Sequence, residues 1–290
     1  MSARSVKARL APYGLILPAW LWLVIFFVVP VLSMLSVSTM TGSVANGFSQ
    51  TFHFSTYADA WNLYHTQIIR SLVYGLIATA LCLLIGYPVA YWIAFRGGRH
   101  KSTLLFLLLL PFFVSFVIRT QSWSFMLSDH GMVLSLLRTL HLVSAHATIL
   151  QTPTAVIGGL TYNFLPFTVL PIYVALERVD PALLEASADL YASKATALRK
   201  VVLPLSLPGV FAAVLLTFVP VASDYVNATI LGGTKTTMVG NIIQTLYFTN
   251  LDYPTAAALS FILMGVLLIG IFLYARVLGT DEVLEMAATA

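Results

Sequence analysis

Apolar residues in this chain come in long, nearly unbroken blocks. Six blocks approach the ~20 residues that a helix rising 1.5 Å per residue needs to cross about 30 Å of hydrocarbon. They run from Tyr13 to Ser38, Ser71 to Ala94, Thr103 to Met126, Pro153 to Ala175, Leu207 to Val226 and Thr255 to Leu278. The pattern predicts an all-α, polytopic membrane protein with six transmembrane helices. One transmembrane domain is expected over residues 1–290, opening with a polar tail at 1–12. Arg4, Lys7 and Arg9 before the first block, and Ser36-Val37-Ser38 at its end, give it the outline of a signal peptide. Its apolar region exceeds the roughly 15 residues of a signal core, so it is expected to remain as a helix.

Pro18, Pro30, Pro88, Pro111, Pro166, Pro171 and Pro220 fall within or near the spans. Each interior proline removes a backbone hydrogen bond and bends its helix. Kinked packing and a moving hinge both fit that pattern. Small residues such as Gly75, Ala78, Gly158, Gly159 and Ala256 to Ala258 allow helices to approach closely. Between the blocks, Leu134, Leu137 and Leu140 stand at helical spacing within Gly131 to Val143, which predicts a short interfacial helix. A second is expected over Asn241 to Phe248, after a turn at Gly232-Gly233.

Basic residues orient the spans. With the N-terminus inside, inner segments hold Arg4, Lys7, Arg9, Arg96, Arg99, Lys101, Arg178, Lys194, Arg199, Lys200 and Arg276. Outer segments hold Arg70, Arg119, Arg138 and Lys235. That positive-inside bias puts both termini in the cytoplasm. Tyr57, Trp61, Tyr64, Trp123, Tyr247 and Tyr253 then gather toward the outer interface, where amphipathic rings prefer to sit.

Composition excludes the soluble classes. Of the 290 residues, 59% are hydrophobic and 9% charged, against about 25% charged in a soluble domain. The net charge of +4 is no nucleic-acid signal, because its basic residues lie in short clusters between apolar blocks. Membrane lipid is the expected surrounding and no nucleic-acid partner is expected. Cys82 is the single cysteine, so no intrachain disulfide and no cysteine-based metal site can form. His53, His65, His100, His130, His141 and His146 lack zinc-ligand spacing, and no metal site is expected. Gly232-Gly233-Thr234-Lys235-Thr236-Thr237 departs from a phosphate loop, with Thr234 where the glycine before lysine belongs. No nucleophile-elbow motif and no carboxylate pair within the spans appear. The chain is therefore expected to be no enzyme and to carry no cofactor of its own.

The connection between the fourth and fifth blocks, about residues 180–204, is the most informative stretch. Asp180 is a good N-cap and Pro181 suits the first helical turn. Leu183, Leu184, Ala188 and Ala192 form a narrow apolar stripe, with Glu185 and Asp189 one turn apart beside it. Ser193 can cap a second short helix ending at Leu203, before Pro204. Such a helix pair outside the membrane packs either on its own bundle or on a separate cytoplasmic partner.

This stretch resembles the EAA signature of permease subunits of binding-protein-dependent ABC importers. The matching residues are Glu185-Ala186, Asp189-Leu190, Ala192-Ser193, Val201, Leu203-Pro204 and Pro208-Gly209, with Ser187 and Tyr191 departing from the signature's second alanine and its glycine. Tyr191 must then take a left-handed conformation itself, or the turn must differ. Gly86-Tyr87-Pro88-Val89-Ala90-Tyr91, Leu110-Pro111-Phe112-Phe113, Arg119-Thr120, Leu165-Pro166-Phe167 and Ser223-Asp224-Tyr225 are similar to the spermidine/putrescine-type branch.

The resemblance implies the type I importer permease fold. It implies a second, different permease chain, a dimer of cytoplasmic P-loop ATPases that carries ATP and Mg, and an extracytoplasmic solute-binding protein. Leu183, Leu184, Glu185, Ala186, Asp189, Ala192 and Ser193 would form the ATPase-docking helix, with Glu185 as the main contact. A small polar solute is the expected cargo, a polyamine-like cation being favoured. Trp123, Arg119, Tyr162, Asn163, Asp224 and Tyr225 are the candidates for a path or gate. On a straight third span, Arg119 would stand about 24 Å above Thr103, level with Asp224. The two either pair as a structural salt bridge or leave Asp224 to bind an ammonium with Tyr225 and Trp123. A stand-alone secondary transporter or channel is the alternative function, although it would call for intramembrane carboxylates or inverted repeats.

Overall fold

The computed structural model describes residues 16–141, 143–144 and 147–277. The tail at 1–12 with Arg4, Lys7 and Arg9, the first block's start at Tyr13, His146, and Leu278 at the last block's end lie outside the described residues.

Apolar length makes most of the elements helical, because in hydrocarbon a backbone must satisfy its own hydrogen bonds. Helix α1 covers Ile16–Val37, α2 Ser55–Arg96, α3 Lys101–Leu109, α4 Phe116–Leu127, α5 Met132–Thr139 and α6 Pro153–Glu177. Then come α7 at Pro181–Asp189, α8 at Lys194–Ala222, α9 at Val226–Ile230, α10 at Val239–Gln244 and α11 at Tyr253–Val277. Five of these, α1, α2, α6, α8 and α11, are each long and apolar enough to cross a membrane. At 42 residues α2 is about 63 Å long, so it runs well past the expected Ser71 to Ala94 and includes Tyr57, Trp61 and Tyr64.

Three local expectations change. The third span is not one helix: α3 passes through a 3-10 turn at Leu110–Phe113, and the chain then bends by 89° before α4. Val114 and Ser115 are extended at the break, with ψ of 138° and 136°. Pro111, which cannot continue the helical ladder, sits just upstream. The second loop helix does not end at Leu203 either. It continues from Lys194 through a π turn at Leu198–Val202 into span five. In that wide turn Leu203 N–H bonds Leu198 O, and Pro204 follows where its missing donor and its ring are tolerated. Span five then ends at Ala222, short of the expected Val226.

The described residues divide into two compact units, one made of those up to Leu63 with Ile243–Ile262, the other of Tyr64–Ile242 with those from Leu263 on. The first holds α1, none of whose residues is buried, and the exception to the all-α expectation, a β-hairpin. Strands β1, Met40–Ser43, and β2, Gly47–Gln50, pair antiparallel with Thr41 opposite Ser49. Gly42, at φ +132°, lies where any Cβ would strike the Gly47 carbonyl. The hairpin is tied to the chain beside it by Ser38 Oγ and Tyr57 OH at 2.6 Å, and by Gln50 Nε2 donating to Thr39 Oγ1 at 2.9 Å.

The second unit has two apolar clusters. One gathers Tyr74, Val156, Leu160, Phe164, Val221, Leu231 and Met238, and the other Ala90, Ile93, Val169, Ile172, Leu176, Val202 and Ala213. Helices α6 and α8 come close because Gly209 has no side chain; a Cβ there would lie 2.7 Å from Pro171 O and would strike the Ala175 methyl.

Candidate functional site

The loop helix is built as its sequence requires. Asp180 Oδ1 accepts from Ala182 N at 2.9 Å, Pro181 follows, and α7 runs to Asp189. Ser193 Oγ accepts from Thr196 N at 3.2 Å and starts α8. Glu185, Ala186, Asp189 and Ser193 are exposed, and Ala192 is half-buried. The two leucines separate: Leu184 packs on the cluster around Ile172 and Val202, while Leu183 stays 45% exposed. Of that pair, Leu183 is the one presented outward.

Helix α7 ends in a Schellman motif. Tyr191 N–H bonds Ala188 O at 2.9 Å and Ala192 N–H bonds Ser187 O at 3.0 Å. Tyr191 is the left-handed residue, at φ +58°, so the turn keeps its form with tyrosine in the glycine position. A non-glycine residue there costs roughly 1–2 kcal/mol.

The break in span three is clasped by Arg119. Its Nη1 donates to Pro111 O, on the far side of the break, at 2.9 Å. Its Nε donates to Asn163 Oδ1 at 2.7 Å. The guanidinium carbon lies 4.7 Å from the Phe112 ring centre, 5.7 Å from Phe116 and 5.9 Å from Tyr162. Trp123 stacks at a tilt on Tyr162, centre to centre 5.2 Å.

From Asn163 the hydrogen bonds run on. Asn163 Nδ2 donates to Thr120 Oγ1 at 3.0 Å and to Asn227 Oδ1 at 2.9 Å. Asn227 N–H in turn donates to Asp224 Oδ1 at 2.8 Å. Thr120 and Asn227 are fully buried, Asn163 is 1% exposed, and Arg119 and Asp224 are each 8% exposed. Asp224 thereby anchors the first turn of α9. Gly240 packs beneath this turn, where a Cβ would lie 2.6 Å from Ser223 O. Asn241 Nδ2 holds Tyr225 O at 2.9 Å.

Of the six path candidates, Arg119, Asn163, Tyr162 and Trp123 are therefore contiguous, and Asp224 joins them through Asn227. Arg119 and Asp224 do not pair directly; among the described residues the ion pair is Lys101–Glu177 at 3.4 Å. Because the chain turns by 89° before Arg119, its expected height on a straight span does not apply. Tyr225 is 46% exposed and contributes its carbonyl to the turn. Sequence reasoning missed Asn227, Thr120 and the Pro111 carbonyl. An amide in an apolar stretch was the available signal for Asn227, as it was for Asn163. Among the described residues no group of three His, Cys, Asp or Glu side chains is placed to hold a metal.

Helices long and apolar enough to cross a membrane, an exposed capped helix between two of them, and a buried polar network beside a broken span define a polytopic membrane protein. The chain belongs to the family described as binding-protein-dependent transport system inner membrane component, whose pattern matches residues 86–278. It is a permease subunit of a binding-protein-dependent ABC importer. A spermidine/putrescine transport system permease protein PotB of Haemophilus influenzae is 36% identical over 256 residues, 88% of this chain and 90% of the relative. Its counterpart in Escherichia coli K12 is 35% identical over 268 residues, 91% of this chain and 98% of the relative. In fold the chain is similar to a crystal structure of a bacterial ABC transporter involved in import of the acidic polysaccharide alginate. The TM-score is 0.71 at 18% identity, over 95% of this chain and 97% of that one.

Proposed function

We propose that this chain forms half of the translocation path for a polyamine-like cation and that α7 couples it to a cytoplasmic P-loop ATPase dimer. The observation that carries the coupling is the geometry of α7. It is capped at both ends, presents Leu183, Glu185, Ala186 and Asp189 outward, and is joined by three residues to α6 and by four to α8. Since α8 runs from Lys194 into span five without a break, displacement of α7 passes directly to that span. Closure of the ATPase dimer on Mg-ATP would thus rock spans four and five as rigid bodies.

The cargo assignment rests on kinship with two permeases named for spermidine and putrescine transport. Within the network Arg119 is occupied by neutral acceptors and ring faces and acts as scaffold. Asp224 is the network's carboxylate, and with the rings of Trp123, Tyr162 and Tyr225 it supplies the groups an ammonium needs. The remaining partners are a second, different permease chain and an extracytoplasmic binding protein that loads the path. Both termini are cytoplasmic, and the chain needs no cofactor of its own.

The test is uptake of labelled spermidine into vesicles bearing the purified transporter. Uptake should require ATP and the binding protein, and Glu185→Lys should abolish it while releasing the ATPase. A chain that transports alone, without ATP, would return the secondary-transporter reading.

A further inference from the structure

We propose that Tyr191, together with Leu190, is an aromatic plug that enters an apolar cleft on the partner ATPase and sets which ATPase this permease accepts. The inference rests on the reading of α7 as the coupling helix. Tyr191 occupies the left-handed position of the Schellman turn, where glycine is free of strain and tyrosine is not. Among the described residues no packing offsets that strain, since Tyr191 is 98% exposed. Leu190 beside it is 81% exposed. Local strain kept at an exposed, apolar apex points to a contact made outside the chain. Tyrosine is also among the residues that dominate protein interfaces, where it fills desolvated pockets.

The chemistry of the cleft follows from the neighbours. Before the apex, α7 and its cap carry Asp180, Glu185 and Asp189, and after it the start of α8 carries the exposed Lys194, Arg199 and Lys200. The matching surface is therefore an apolar cleft with basic side chains facing α7 and acidic ones facing the start of α8. The carboxylates of α7 count against an anionic leaflet, which would repel that side of the apex.

The experiment measures affinity of the transporter's purified ATPase subunit for the permease complex in nanodiscs, with thermal melting of each permease variant in parallel. Tyr191→Gly should weaken ATPase binding about tenfold while the melting temperature holds or rises. Tyr191→Phe should keep the affinity. A purely structural turn residue gives the opposite result, because glycine relieves the strain; binding as tight as the native chain's, or tighter, would overturn the proposal. If Glu185→Lys alone weakens binding, the coupling helix stands and the plug falls. If neither variant does, the coupling-helix reading itself fails. A photo-crosslinking amino acid replacing Tyr191 in the intact transporter should capture the ATPase, and capture of lipid alone would also overturn the plug.

Discussion

Asn163→Leu is the substitution that reads the buried network most directly. Leucine keeps the branching at Cγ and suits the bilayer, so the change removes the polar pairing at the cost of some added volume. It removes the acceptor of Arg119 Nε and the donor to Thr120 Oγ1 and Asn227 Oδ1, three bonds of 2.7 to 3.0 Å. All four residues are at most 8% exposed, so water cannot readily replace what is lost. Interhelical hydrogen bonds in membrane proteins average about 0.6 kcal/mol with a maximum near 1.7. Three lost bonds thus cost about 2 kcal/mol at the average and about 5 at the maximum. The upper part of the range is expected, because one stranded donor belongs to a charged guanidinium. Thr168→Val provides the scale: it breaks the buried pair between Thr168 and Thr217, 2.7 Å apart, and should cost about 0.6 kcal/mol. Reversible unfolding in mixed micelles, followed by tryptophan fluorescence, measures both variants. If Asn163→Leu falls within about 0.5 kcal/mol of Thr168→Val, the network does not hold span four to α4 and α9, and the account of the site is wrong.

Three further outcomes follow from the same geometry. Arg119→Lys should lower uptake strongly although it keeps the charge, because one ammonium cannot serve Pro111 O and Asn163 Oδ1 from the separate positions of Nη1 and Nε; labelled-solute uptake with a surface-expression control checks it. Ser193→Ala removes the cap of α8 and should destabilise its first turns by about 1 kcal/mol, visible as faster amide exchange at 194–202 with the exchange in α6 unchanged. Gly209→Val should abolish folded yield, since its side chain would enter the Pro171 carbonyl and the Ala175 methyl; a monodisperse elution peak for this variant would contradict the close approach of α6 and α8.

Local chemistry explains what was legible beforehand and what was not. Asp180-Pro181 and Ser193 announced two helix starts, and both cap as their side chains require. Pro111 signalled a disturbance, yet an 89° break needs two extended residues at Val114 and Ser115 and the Arg119 clasp across them. Neither the break nor the clasp has a local pattern. Pro204 read as a stop because an α-helix has no room for it, whereas the π turn at Leu198–Val202 provides that room. The hairpin at Met40–Gln50 lies in a polar stretch too short to show strand periodicity.

Arg119 and Asp224 show the same division at the site. That two charges in apolar surroundings must find partners follows from desolvation alone, and it marked both residues from the one-dimensional chain. Which partners they find depends on groups 44 residues apart for Arg119 and Asn163, and 64 apart for Asn163 and Asn227. Membrane insertion is a sum over neighbouring residues, so span number and the polar exceptions within spans are written along the chain. Hydrogen-bond pairing between spans is decided by which helix faces meet, and only the packed fold brings those faces together.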